Sequence, residues 1–279
     1  MFLQIIYKPI IFLIVIISLF SCSSNNKKIL IEPKKKFDLE KVYKEAYKNF
    51  EIGKYDDAIK LFEIVEKEYS YTQWASKSLL MRSYIYYDAG QYIKALVHLQ
   101  KFKKRYAGSK NIDYVEYLIG MCIFEQINFA ALSQENTYLA LRQFDKVIKQ
   151  FPNTEYAYDA KFKIDLINEQ LAAKEMYLAR FYMKKQKWTP ALLRLNNVLE
   201  KYETTIFIEE TLHRLVEIYY NLGNMQAARK YASILGYNYN DSDWYKRSYN
   251  IVESANIPLS KSKQNKSFKD SIKQILRMN

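Results

Sequence analysis

Residues able to do covalent or metal chemistry are few in this 279-residue chain: two cysteines, Cys22 and Cys122, and two histidines, His98 and His213. Their spacing builds neither a zinc-type cluster nor a Cys–His nucleophile pair. Cys122 sits in the apolar run 118–124 and is expected to be a small core residue; no structural disulfide is expected. Acids such as Asp165 and Glu175 fall within helical patterning, where a solvated face is the ordinary reading, and no carboxylate pair is assembled. An enzyme carried on a helical platform would need an added catalytic domain. After residue 240 only about forty residues remain, too few to fold one. The chain is read as no enzyme, with no metal and no cofactor apart from a covalent lipid on Cys22.

That lipid is inferred from the start of the chain. Lys8 precedes a nearly unbroken apolar stretch at 9–20, too short to span a membrane comfortably and suited to a signal segment. The stretch ends in Leu19-Phe20-Ser21-Cys22, which resembles the bacterial lipobox. The resemblance implies cleavage before Cys22, diacylation of its sulfur and acylation of the new amino terminus. A plain secretory signal or an N-terminal anchor helix are the alternatives. Two or more acyl chains make a stable anchor, at about 0.8 kcal/mol per buried CH₂. Ser23 is not aspartate, so by analogy the lipoprotein passes to the outer membrane. Residues 1–21 are therefore assigned to the signal and 22–37 to a lysine-rich tether whose composition supports no core.

From residue 38 to 250 one detail recurs. An alanine is followed eleven residues later by an aromatic, as Ala58/Tyr69, Ala95/Tyr106, Ala140/Phe151, Ala191/Tyr202 and Ala228/Tyr239, at intervals of 37, 45, 51 and 37 residues. Fixed internal spacing with variable linkers marks one unit used five times. Fuller signatures are Ala46, Gly53, Tyr55, Ala58, Phe62, then Ser83, Gly90, Tyr92, Ala95, Leu99, and Ala179, Trp188, Ala191, Leu195 without the glycine. Each reads as two helices, with glycine ending the first where φ > 0 is needed and small residues where the helices meet. This resembles the tetratricopeptide repeat. The expected fold is all-α, a right-handed superhelical solenoid of five tetratricopeptide-like helix pairs.

Two units depart from the pattern. In the third, Gly120 and Ala140 are twenty residues apart instead of twelve, so an insertion is expected around 126–137. In the fifth, Val216 stands where a small residue is expected, and looser packing follows. Residues 155–185 are helical in pattern throughout, as an extended or broken helix.

Lys and Arg exceed Asp and Glu by 13, a balance that attracts anionic partners. The tail, 251–279, is basic and expected to be solvated and disordered. Anionic lipid or an acidic protein is a more plausible target for it than nucleic acid, which is not expected as a partner.

Taken with the lipobox and the uneven repeats, three stretches resemble the BamD family, the tetratricopeptide lipoproteins of the bacterial β-barrel assembly (BAM) machine. They are 111–115, 151–156 and the pair 171–175 and 179–182. The resemblance implies a non-enzymatic scaffold, lipid-anchored on the periplasmic face of the outer membrane. It implies binding to the POTRA domains of a BamA-like barrel protein, company with other BAM lipoproteins, and receipt of unfolded outer-membrane proteins. Trp188 and Arg194 fall in the stretch that faces BamA in the family, with Arg194 expected to make a salt bridge there. A different periplasmic scaffold of this repeat type, coordinating cell-wall synthesis or envelope division, is the alternative.

Tyrosine is abundant, at 26 residues. In the repeat register, Tyr43, Tyr47, Tyr84, Tyr87, Tyr114 and Tyr117 point to the face lined by the first helix of each pair. Tyrosine offers a large contact area with few rotors to freeze, and a hydroxyl. These six are the expected groove for an aromatic-rich client peptide, with Lys77 and the net positive charge receiving a terminal carboxylate. Ordinary helix-to-helix packing is the competing role for each of them.

Overall fold

The structure, a computed structural model, describes residues 38–70, 72–127 and 135–254. The signal, Cys22, the tether, most of the insertion and the tail after Ser254 lie outside the described residues. The chain divides into two units, 1–42 and 43–279. Of the first, the described part is the opening of a helix, with Val42 N–H donating to the Asp38 carbonyl at 2.9 Å.

Among the described residues the structure is all helix. The helices are α1 (Leu39–Glu51), α2 (Tyr55–Glu68), α3 (Gln73–Asp88), α4 (Tyr92–Arg105), α5 (Ile112–Phe124), α6 (Glu135–Gln150), α7 (Glu155–Lys184), α8 (Trp188–Lys201), α9 (Ile208–Asn221), α10 (Met225–Asn238) and α11 (Asp243–Ser254). From α2 onward each packs chiefly on its neighbours in sequence, the contact pattern of a repeat array. None is long and apolar enough to cross a membrane.

Each repeated residue has a physical task. All five alanines are buried at the helix crossings. All five aromatics end the second helix, their N–H groups donating to the carbonyl four residues back, at 2.8–3.1 Å. Three residues further on stand Thr72, Ser109, Thr154, Thr205 and Ser242, whose N–H groups donate to the aromatic's carbonyl. The hydroxyls of Thr72, Thr154 and Thr205 donate to that same carbonyl at 2.7–2.9 Å. The corner closing one repeat and opening the next is thus built from two sequence positions.

In four of the pairs the turn between the helices uses a left-handed residue, five positions before the alanine. Gly53, Gly90 and Gly223 have φ of 75°, 69° and 74° there, and Gln186 takes the place in the fourth pair at 56°. In every case the next N–H reaches back five residues, as Lys54 to Asn49, Gln91 to Tyr86, Lys187 to Tyr182 and Asn224 to Tyr219, at 2.8–2.9 Å. This is the Schellman closure that satisfies the helix's last carbonyls.

The departures resolve as follows. Helix α6 begins at Glu135, within the stretch where the insertion is expected. Gly120 lies so near Phe144 that a Cβ would stand 2.7 Å from its ring. Helix α7 is one continuous helix of 30 residues, about 45 Å at 1.5 Å per residue. It packs on α6 and also on α8, so it serves two units and accounts for the 51-residue interval. Val216 is fully buried with Ala228, Tyr231 and Leu235. Helix α11 carries the helical chain past residue 250 and packs on α9 and α10. There the buried Ser248 hydroxyl meets His213 Nδ1 at 2.8 Å.

Candidate functional site

The first helices of the pairs bring the tyrosines into a cluster of two ring-contact groups, linked through the nearness of Tyr84 and Tyr87 to Tyr114. On α1, Tyr47 is exposed and meets Phe50 with ring centroids 6.0 Å apart. Phe50 stacks on Tyr55 at 6.1 Å and meets Tyr84 edge-on at 5.8 Å. Tyr84 neighbours Tyr87 at 6.4 Å, and Tyr87 neighbours Tyr92 at 5.8 Å. Tyr114 and Tyr117 both contact Tyr156, at the start of α7, at 5.2 and 5.4 Å. Tyr117 also reaches Phe144 at 6.2 Å. Five of the six expected residues join this cluster. Tyr43 makes its ring contacts elsewhere, edge-on to Phe62 at 5.3 Å and to Trp74 at 4.8 Å, with Tyr47 nearby.

Burial governs the hydroxyls. It pushes the Tyr87 phenol up to about 12, with Glu125, Cys122, Tyr92 and Tyr84 adding to the effect. Tyr114 is also raised, by burial first and then by Tyr84, Tyr156 and Tyr87, which places hydroxyls of α3, α5 and α7 near one another. Tyr117 is raised by burial and by the hydrogen bond it donates to Asp159 at 2.5 Å. All stay protonated at neutral pH, as neutral donors set among apolar rings.

Five carboxylates face these rings. Tyr55 donates to Asp88, Tyr117 to Asp159, and Glu125 lies near Tyr87. Glu155 and Asp113 act on Tyr156. Lys77 lies over Trp74, 4.9 Å from the ring centre, on the side of Tyr43. Lys163 lies over Phe124 at 5.5 Å. Sequence reading missed Phe50, Tyr92 and Tyr156 and all five carboxylates. Tyr92 had a signal: like Tyr55, it stands three residues before the repeat alanine.

Trp188 occupies that same register and is the first residue of α8, half-buried against the core of the last pairs. Arg194 lies one turn after Ala191. Its Nη1 donates to Glu175 Oε2 at 3.4 Å, its side chain is 32% exposed, and its Nε is buried without a partner. Asn197 donates to the same glutamate oxygen at 3.2 Å. Cys122 is fully buried, and burial pushes its thiol up to about 12, so it is an inert core residue. Among the described residues, no group of His, Cys, Asp and Glu could hold a metal.

Comparison with known proteins fits this arrangement. The family model YfiO, described as an outer membrane lipoprotein, matches residues 35–234. The chain is 36% identical over 214 residues to the outer membrane protein assembly factor BamD of Caulobacter vibrioides, covering 77% of this chain and 70% of that one. It is 36% identical over 213 residues to BamD of Rickettsia prowazekii, covering 76% and 85%. To BamD of Neisseria meningitidis serogroup A it is 30% identical over 213 residues, covering 73% and 80%. With the helix pairs and the aromatic first helices in place, the matched span takes in every one of the first four pairs, and the chain belongs to the YfiO, or BamD, family of outer membrane lipoproteins.

Proposed function

We propose that the chain is an outer-membrane protein assembly factor working as a non-enzymatic scaffold with two protein-binding regions. Family membership over 35–234 carries the reading. The tyrosine cluster on α1, α3, α5 and α7 receives unfolded outer-membrane proteins. Its half-buried rings supply apolar contact area, and its protonated hydroxyls supply hydrogen bonds to an extended backbone. The region around Trp188 and Arg194 binds the POTRA domains of a BamA-like barrel protein. The part-exposed guanidinium of Arg194, held internally by a long 3.4 Å bond to Glu175, supports that assignment, because its remaining donors can bind a carboxylate in fork geometry. Acyl chains on Cys22 hold the scaffold to the periplasmic face of the outer membrane, in company with other BAM lipoproteins.

The test is a tagged pull-down from detergent-solubilised envelopes. A BamA-like protein with POTRA domains should co-purify at near-equal stoichiometry. Recovery of cell-wall synthases in its place would shift the reading to an envelope scaffold of another kind.

A further inference from the structure

The cluster's charge setting says more about its ligand than its rings do. The protein carries a net charge of +13, yet five acids from three helices and their ends are set against these tyrosines. Asp88 ends α3, Asp113 opens α5, Glu125 follows it, and Glu155 and Asp159 lie on the first turns of α7. Asp159 is fixed by the Tyr117 hydroxyl at 2.5 Å, and Asp88 by Tyr55. Each carboxylate accepts one such bond and has further lone pairs able to accept others. Two lysines on these helices sit over other aromatics: Lys77 covers Trp74 and Lys163 covers Phe124.

We infer that the cluster selects client segments carrying arginine or lysine between aromatic residues, and that it does not capture a free terminal carboxylate. This rests on the client-binding role proposed above. A cation entering among tyrosine faces gains from the ring quadrupoles and from the fixed carboxylates, whereas an anion meets like charge. The aromatic neighbours of that cation fill the gaps between rings of successive pairs. Charge complementarity thus sets the polarity of the ligand, and the spacing of the first helices sets the alternation of its side chains.

The experiment uses the full chain in detergent and two synthetic peptides. One alternates phenylalanine with arginine, and its twin has glutamate for each arginine; both are made as free acid and as amide. Fluorescence anisotropy should show the arginine peptide binding at least tenfold tighter, with amidation changing its affinity less than twofold. The triple variant D88N/E125Q/D159N, which keeps the hydrogen-bond acceptors, should reduce the preference to under threefold. Because the protein as a whole is basic, nonspecific attraction works against this result. A glutamate peptide that binds equally or better, or a clear preference for the free acid, overturns the inference while leaving the groove intact. If Y84A/Y87A leaves the affinity of both peptides unchanged, the client groove itself is wrong and the inference falls with it.

Discussion

Arg194 donates to Glu175 across α7 and α8 at 3.4 Å, so the residue expected to meet a partner protein already leans on a carboxylate of its own chain. The bond is long and about a third exposed, and such a pair contributes at most ~1 kcal/mol. Arg194→Ala is therefore expected to lower thermal stability only slightly while reducing co-purification of the BamA-like partner at least tenfold. Glu175→Gln weakens the internal hold and should tighten partner binding about threefold. Equal partner recovery by wild type and Arg194→Ala would make Arg194 a packing residue alone.

The close approach of Gly120 to Phe144 predicts a steric cost. A Cβ would lie 2.7 Å from Cε1 and 2.9 Å from Cδ1 of a ring that is fully buried. Overpacking of this kind costs about 1–3 kcal/mol, offset in part by the better helix propensity of alanine, about 1 kcal/mol. Gly120→Ala should lower unfolding free energy by a net of up to ~2 kcal/mol in urea melts. Adding Phe144→Leu should cost less in the Gly120→Ala background than in wild type. Independent, additive costs would show that the two side chains do not share the space.

Gln186 holds the left-handed position that glycine holds in three other pairs, at φ 56°. A side chain there costs about 1–2 kcal/mol in sterics, while glycine adds unfolded-state entropy. Gln186→Gly is expected to stabilise the protein by a net ~0.5–1 kcal/mol, read as a rise in midpoint temperature. A fall in midpoint would mean that the glutamine side chain makes up for its backbone.

Much of this was legible before any coordinate. The alanine and aromatic positions mark the crossings and helix ends because each task admits few residue types. The serine or threonine three residues later was equally visible at all five corners. So was a shared glutamate. Glu116 and Glu175 stand four residues before Gly120 and Ala179, and their partners Gln143, Lys146, Arg194 and Asn197 stand three and six residues after Ala140 and Ala191. What sequence did not reveal was pairing across helices. Nothing in the order of residues brings Asp159 to Tyr117, 42 positions away, since that depends on how α5 and α7 pack. Helix α11 escaped notice because few of its residues are buried, Ser248 and Val252 among them, and one of those is a serine held by a histidine.

The buried glutamates predict how stability responds to acid. Glu116 accepts from Lys103 at 2.8 Å, Lys146 at 2.7 Å and Gln143 at 2.7 Å. Glu210 accepts from Arg180 on α7 and from Arg214. Burial alone would raise both carboxyls, but these donors outweigh it and hold both below the ordinary glutamate value. A depressed carboxyl contributes stability that is fully present above the unfolded value, about 4.3, and is lost as pH falls through the lower folded value. Urea melts should therefore give near-constant stability from about pH 7 to pH 5 from these groups, and a steep decline below about pH 4. Glu116→Gln and Glu210→Gln should each cost about 1–3 kcal/mol at pH 7, because lysine or arginine donors then face a neutral amide. In the double variant the decline below pH 4 should be visibly shallower than in wild type. If both proteins lose stability with the same slope, the acid response belongs to other carboxylates, and these two networks serve helix packing without setting the pH limit.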